Sequence, residues 1–126
     1  KYMNWSKDLP KPYGVEGSEI LIEKIAFDMH KAITITAPGF YGPQGRKIRL
    51  DLADETINSK IGGFIFNKTK AANYEMETSS LYALGKNLGH NVLTICNVIA
   101  NRETGEFVED YHSSMKKLIE LVLERI

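Results

Sequence analysis

Hydrophobic and polar positions change period several times along this chain, and each change marks an element. The first seventeen residues are punctuated by Pro10, Pro12, Gly14 and Gly17 and read as a loop. Leu21, Ile22, Ile25, Ala26 and Met29 then fall on one face at helical spacing. Ser18 stands ahead of them as an N-cap, with Glu19 in the first turn. The spacing predicts a helix over residues 19–30. Ile33 and Ile35 next alternate with Thr34 and Thr36, a β-branched run that predicts a strand over residues 32–37. Ile48, Leu50 and Leu52 alternate with Lys47, Arg49 and Asp51, the pattern of a half-exposed strand. Residues 57–66 fit either a helix or more strand, and Gly62-Gly63 weakens the helix. Thr78 or Ser79 caps a helix to Leu88, with Leu81, Leu84 and Leu88 expected inward and Gly89 as its stop. The nearly continuous apolar run at residues 92–99 reads as a strand buried on both faces. A last helix is expected over residues 111–125. Met115, Leu118, Ile119, Val122 and Ile126 form its stripe, and Lys116 and Glu120 an outward i,i+4 pair. Helices alternating with strands place the chain in the α/β class.

With 126 residues, 43% hydrophobic and 25% charged, the chain has the length of one domain and the composition of a globular one. No repeat, low-complexity stretch or linker divides it. Sixteen basic and sixteen acidic residues balance, so charge gives no reason to expect nucleic acid or an anionic membrane as partner. A single cysteine, Cys96, excludes an internal disulfide and a CxxC metal site. His30, His90 and His112 are far apart, and no metal site is expected. No secretory leader and no run long enough to span a membrane is visible, which makes a cytoplasmic location the default. Asn4-Trp5-Ser6 and Asn67-Lys68-Thr69 are then chance matches to the glycosylation pattern. The chain does not begin with Met and is expected to be part of something longer.

Three clusters offer chemistry. Gly39-Phe40-Tyr41-Gly42-Pro43-Gln44-Gly45-Arg46 follows a predicted strand. Its glycines fit neither GxxxxGK[ST] nor GxGxxG, which excludes a P-loop. What remains is a ring face on Phe40, a donor and acceptor on Gln44, and donors on Arg46, a set suited to a planar heterocycle. Composition alone also fits a surface turn with a solvated arginine. In Asn73-Tyr74-Glu75-Met76-Glu77 two carboxylates at i and i+2 share one face of a strand. Glu77 can accept from a diol such as a ribose; the other reading is a helix N-terminus decorated with acids. Asn101-Arg102-Glu103-Thr104 lies beyond the end of the apolar run, where ligands bind in open α/β sheets, and also fits an ordinary polar loop. Cys96, the histidines and Trp5 receive no catalytic role, and Cys96 reads as a small core residue.

Together these clusters resemble the nucleoside phosphorylase family, in particular its uridine phosphorylase branch. Phe40-Tyr41-Gly42-Pro43-Gln44-Gly45-Arg46 is similar to the uracil-recognition loop, an aromatic followed by Gln-x-Arg. Asn73-Tyr74-Glu75-Met76-Glu77-Thr78-Ser79 is similar to the E-M-E-[ST] ribose segment. Val98-Ile99-Ala100-Asn101-Arg102 is similar to the apolar strand and Asn-Arg that close the base pocket. The resemblance implies the C-terminal part of a three-layer phosphorylase-type α/β domain with a mixed central sheet, residues 1–126 forming one single-domain fragment. It implies that Phe40 packs on uracil, Gln44 and Arg46 bind and activate the base, and Arg102 reaches the far carbonyl. It further implies that Glu77 binds ribose hydroxyls with Met76 on the sugar and Glu75 nearby, and that Ile99 and Ala100 line the pocket.

Gln44 and Arg46 are thus the expected catalytic residues. No cofactor is implied beyond phosphate as co-substrate; the expected partners are a nucleoside, phosphate and further copies of the chain in a homo-oligomer. Purine-cleaving relatives carry an aspartate where this chain reads Asn101-Arg102-Glu103, which favours a pyrimidine. The family's phosphate site lies mainly in its N-terminal half and has no counterpart here, so the chain alone is expected to be inactive. A nucleosidase of the same superfamily and a non-catalytic nucleoside-binding or assembly module are the competing expectations.

Overall fold

The computed structural model describes residues 4–102 and 104–126. Its contacts divide into two compact units, one of Lys1–Glu16 and His30–Leu84, the other of Gly17–Met29 and Gly85–Ile126. No helix of the described residues is long and apolar enough to cross a membrane.

The first unit holds a three-stranded mixed sheet ordered β1-β3-β2, where β1 is Ile33–Thr36, β2 Ile65–Phe66 and β3 Thr69–Glu75. β1 and β3 run parallel, with Thr34 opposite Asn73 and Thr36 opposite Glu75. A parallel pair cannot be joined by a tight turn, and the crossover carries a helix, α2 (Ile57–Gly62). Ile57 and Ile61, four apart and each 7% exposed, give α2 its buried face. The polar alternation expected of β1 is realised in pairs. Thr34 Oγ1 donates to Asn73 Oδ1 at 2.9 Å, and Thr36 Oγ1 donates to Glu75 Oε1. β2 and β3 form a hairpin whose two turn residues, Asn67 and Lys68, have φ of 47° and 66°. Such a turn matches the twist of paired strands, and asparagine tolerates it better than lysine.

Residues 47–52 do not form the expected strand. They bend, with Ile48 64% and Leu50 83% exposed. Lys47 Nζ reaches back to Asp51 Oδ1 at 2.5 Å, an i,i+4 closure that an extended strand cannot make. Residues 57–66 resolve into both alternatives, α2 followed by β2.

In the second unit α1 (Glu19–Ile25) begins where Ser18 Oγ accepts from Leu21 N at 3.4 Å. Ile25 and Ala26 are buried, and Leu21, Ile22 and Met29 half-buried, so the expected face faces in. α1 stops five residues short of His30. α4 (Tyr111–Leu123) is capped by Asp110 Oδ1, which accepts from His112 N at 3.2 Å and Ser113 N at 3.4 Å. Arg125 grips the far end of α1: Nη1 donates to Ile25 O and Asp28 Oδ1, both at 2.7 Å, and Nη2 to Asp28 Oδ2 at 2.8 Å. A cation here meets both a carboxylate and the negative pole of α1.

α3 (Thr78–Asn87) has nearly the expected span, and Gly89 follows at φ 76°. Its face differs. Leu81, Leu84 and Leu88 are exposed, while Thr78 and Gly85 are buried. A Cβ on Gly85 would stand 2.2 Å from Val92 Cγ2, so the close approach of the following chain selects glycine there. Residues 92–99 also depart from expectation: they form no ladder among the described residues, and Cys96 is exposed. Val92 O accepts from Ser18 N at 2.9 Å, so the start of the segment is tied to the entry of α1 rather than to a strand.

Candidate functional site

Because β1 and β3 are parallel, their carboxyl ends lie side by side, and two of the three clusters leave from that end. The ladder closes with Ala37 N donating to Glu75 O at 2.9 Å. The chain after β1 turns through a short 3-10 helix, Gly42–Gln44, with Tyr41 O accepting from Gln44 N and Arg46 N. Gly45 caps it at φ 70°. Gln44 is 3% exposed, whereas Phe40 is 51% exposed.

The loop's functional groups face one another. Arg46 Nη1 donates to Gln44 Oε1 at 2.8 Å and to Phe40 O at 2.5 Å, and its guanidinium carbon stands 3.8 Å from the Phe40 ring centre. Tyr41 meets Phe40 edge-on at 5.2 Å. A ring, an amide and a guanidinium are thereby assembled on seven residues. They offer a stacking face beside donors that strengthen as an acceptor gains charge.

The two carboxylates after β3 occupy different environments. Glu75 Oε2 accepts from Glu77 N at 2.7 Å and Thr78 N at 2.6 Å, while its Oε1 accepts from Thr36. Partial burial pushes its carboxyl up, but the hydrogen bonds from Thr36, Glu77 N and Thr78 outweigh burial and hold it below its ordinary value. Thr36 Oγ1 in turn accepts from Ser79 N at 2.9 Å, so α3 is capped by β1 and β3 rather than by the Thr78 or Ser79 hydroxyl. Glu77 is exposed, with Oε2 accepting from Met76 N at 3.2 Å, and Met76 is 41% exposed. Of the pair, Glu77 presents its carboxylate outward.

The third cluster lies in the second unit. Ala100 bridges Phe107 antiparallel, Asn101 N donates to Glu106 O at 2.8 Å, and Val108 N donates to Ile99 O at 2.9 Å. Val98, Ile99, Ala100, Asn101, Phe107 and Val108 border an open hollow of about 290 Å³. Ile99 is half-buried and Arg102 exposed; Glu103 lies outside the described residues.

Sequence reasoning missed Asn58. Tyr74 on β3 donates its hydroxyl to Asn58 Oδ1 at 2.9 Å, and Asn58 Nδ2 donates to Gly45 O at 3.4 Å. A Cβ on Gly45 would lie 2.4 Å from Asn58 Nδ2. The asparagine is thus seated on the loop that carries Gln44 and Arg46. An isolated polar residue on a six-residue helix gives no signal of this in the sequence.

In open α/β sheets, the carboxyl ends of parallel strands are where small ligands bind, and two of the three clusters gather there. The sequence profile of the phosphorylase superfamily matches residues 15–126, and the chain belongs to that superfamily. Membership supports a function of the nucleoside phosphorylase or hydrolase type and a glycosyl-transferring kind of enzyme. No curated protein and no solved structure gives a significant match.

Proposed function

We propose that this chain supplies the base- and ribose-binding half of a uridine phosphorylase, which exchanges the base of uridine for phosphate at the ribose C1. The observation that carries the reading is the pairing of Gln44 with Arg46 beside the Phe40 ring, on a loop leaving the same sheet end as Glu77. As the C1–N1 bond breaks, the bonding electrons pass to the base and the sugar becomes oxocarbenium-like. Gln44 and Arg46, set against the base carbonyls and N3, stabilise that charge more in the transition state than in bound uridine. No general acid is then required. Glu77 holds the ribose hydroxyls, Met76 packs on the sugar, and Phe40 stacks on the base. Phosphate binds through residues outside this chain, and the intact enzyme is a cytoplasmic homo-oligomer.

Uracil release from uridine, measured with and without phosphate on the intact enzyme, tests this. Release is expected only with phosphate. Arg46→Ala should lower kcat/KM by about 10²-fold or more with an unchanged circular dichroism spectrum, as for loss of one donor to developing charge. Phosphate-independent release would make the protein a nucleosidase, and near-normal turnover by the variant would remove Arg46 from the mechanism.

A further inference from the structure

We infer that Asn58 is a positioning residue for base recognition: it ties the loop bearing Gln44 and Arg46 to β3, through Gly45 on one side and Tyr74 on the other. The inference rests on the uridine phosphorylase reading and adds to it a residue that touches no substrate.

Three observations support it. First, Asn58 has both halves of its amide engaged. Oδ1 accepts from the Tyr74 hydroxyl, and Nδ2 donates to Gly45 O. Gly45 is flanked by Gln44 and Arg46, so a carbonyl held at Gly45 fixes the backbone from which both side chains leave. Second, Asn58 stands on a firm support. Ile57 and Ile61 bury one side of α2, and the segment leading into it is braced by Asp54, whose Oδ1 accepts from Thr56 N at 2.9 Å and whose Oδ2 pairs with Lys60 Nζ at 2.6 Å. Lys60 Nζ also donates to Asn4 O at 3.2 Å. A group on a braced element holds a loop more precisely than a group on a second loop does. Third, Tyr74 is adjacent to Glu75, whose carboxylate sets the turn that presents Glu77. The tether therefore joins the loop that would hold the base to the strand end that would hold the sugar.

Gly45 shows how tight the seat is. Its φ of 70° favours glycine, and a Cβ there would displace the Asn58 amide from its seat against the loop. Misplacement of a recognition group by about 1 Å is enough to cost two orders of magnitude in rate. A residue that prevents such movement shapes specificity without contacting ligand.

The test is binding of uracil, 3-methyluracil and ribose 1-phosphate to the full protein by calorimetry, for wild type, Asn58→Ala and Tyr74→Phe. 3-Methyluracil lacks the N3–H that the Gln44 carbonyl would accept. Both variants should bind uracil about tenfold more weakly, the scale of one lost hydrogen bond. Their preference for uracil over 3-methyluracil should shrink in step, while ribose 1-phosphate affinity stays within about twofold. A role in folding alone would move sugar and base affinities together and leave the preference unchanged. Tyr74→Phe removes a single exposed hydroxyl and keeps the ring, so it reports even if Asn58→Ala folds poorly. Wild-type affinity and preference in a folded Tyr74→Phe would overturn the tether. Failure of the wild-type protein to bind uracil would overturn the uridine reading itself.

Discussion

Glu75 and Glu77 are two residues apart, and the structure separates their work. Glu75 accepts three hydrogen bonds that join β1 to the start of α3, while Glu77 is exposed beside Met76. Glu75→Gln cannot accept from both backbone amides and Thr36 as a carboxylate does. It should cost about 1 kcal/mol, the worth of a helix cap, seen as a fall of about 4 °C in Tm. Glu77→Gln should leave the melting temperature unchanged and weaken uridine by about tenfold while leaving uracil untouched, because on the proposed reading the lost acceptor serves the sugar. Thermal melts and calorimetry on the two variants decide the matter; the reverse pattern would exchange the roles. The sequence displayed both acids at the end of a strand but could not rank them. Strand spacing and an acid-rich helix start were both true, since Glu75 ends β3 and its carboxylate caps α3.

At the scale of elements, what was legible is what local chemistry decides. Ser18 capping α1, the β-branched run of β1 and the Lys116–Glu120 pair of α4 are all in place. What was not legible depends on partners distant in sequence. Residues 47–52 alternate like a strand yet bend around the Lys47–Asp51 pair, and α3 turns Gly85 rather than its leucines inward because Val92 approaches there. α2 was ambiguous for the same reason, because its start is set by Asp54, which holds Thr56 by backbone and hydroxyl and Lys60 by charge. The Lys60 and Thr56 hydrogen bonds hold the Asp54 carboxyl down at about 2, against an ordinary 3.8. A carboxylate depressed in the folded state contributes stability that is complete above its unfolded value and disappears as pH falls through the folded one. Asp54→Asn should therefore lower the urea midpoint by a constant amount above about pH 4.5, and the gap should close towards pH 2. Glu75 and Asp28 are also held down and act in the same direction, but they are common to both proteins and cancel in the difference. A gap that stays constant to pH 2 would show that the Asp54–Lys60 pair is not formed in solution.

For the molecule as a whole, the decisive segment is residues 92–99. Its apolar run reads as a central strand, and Cys96 within it reads as a core residue. The structure instead leaves this segment without a ladder among the described residues, with Cys96 exposed and Val98 60% exposed. The two descriptions predict different chemistry for one thiol. A cysteine in a doubly covered strand reacts only when the strand opens, which slows labelling by about 10³-fold or more in a stable domain. An exposed one reacts at nearly the rate of the unfolded chain. Native chain treated with dithionitrobenzoate should therefore release one equivalent of thionitrobenzoate without denaturant, and denaturant should accelerate it by less than about tenfold. Because Cys96 is the chain's single cysteine, the readout is unambiguous. Slow, denaturant-dependent labelling would mean that residues 92–99 are covered in solution. An apolar segment that is exposed in one chain can be covered by another, so covering by a second copy is the first possibility to separate from internal burial. Dilution distinguishes them: protection that fades as the protein is diluted belongs to association, and protection that persists belongs to the fold of the single chain.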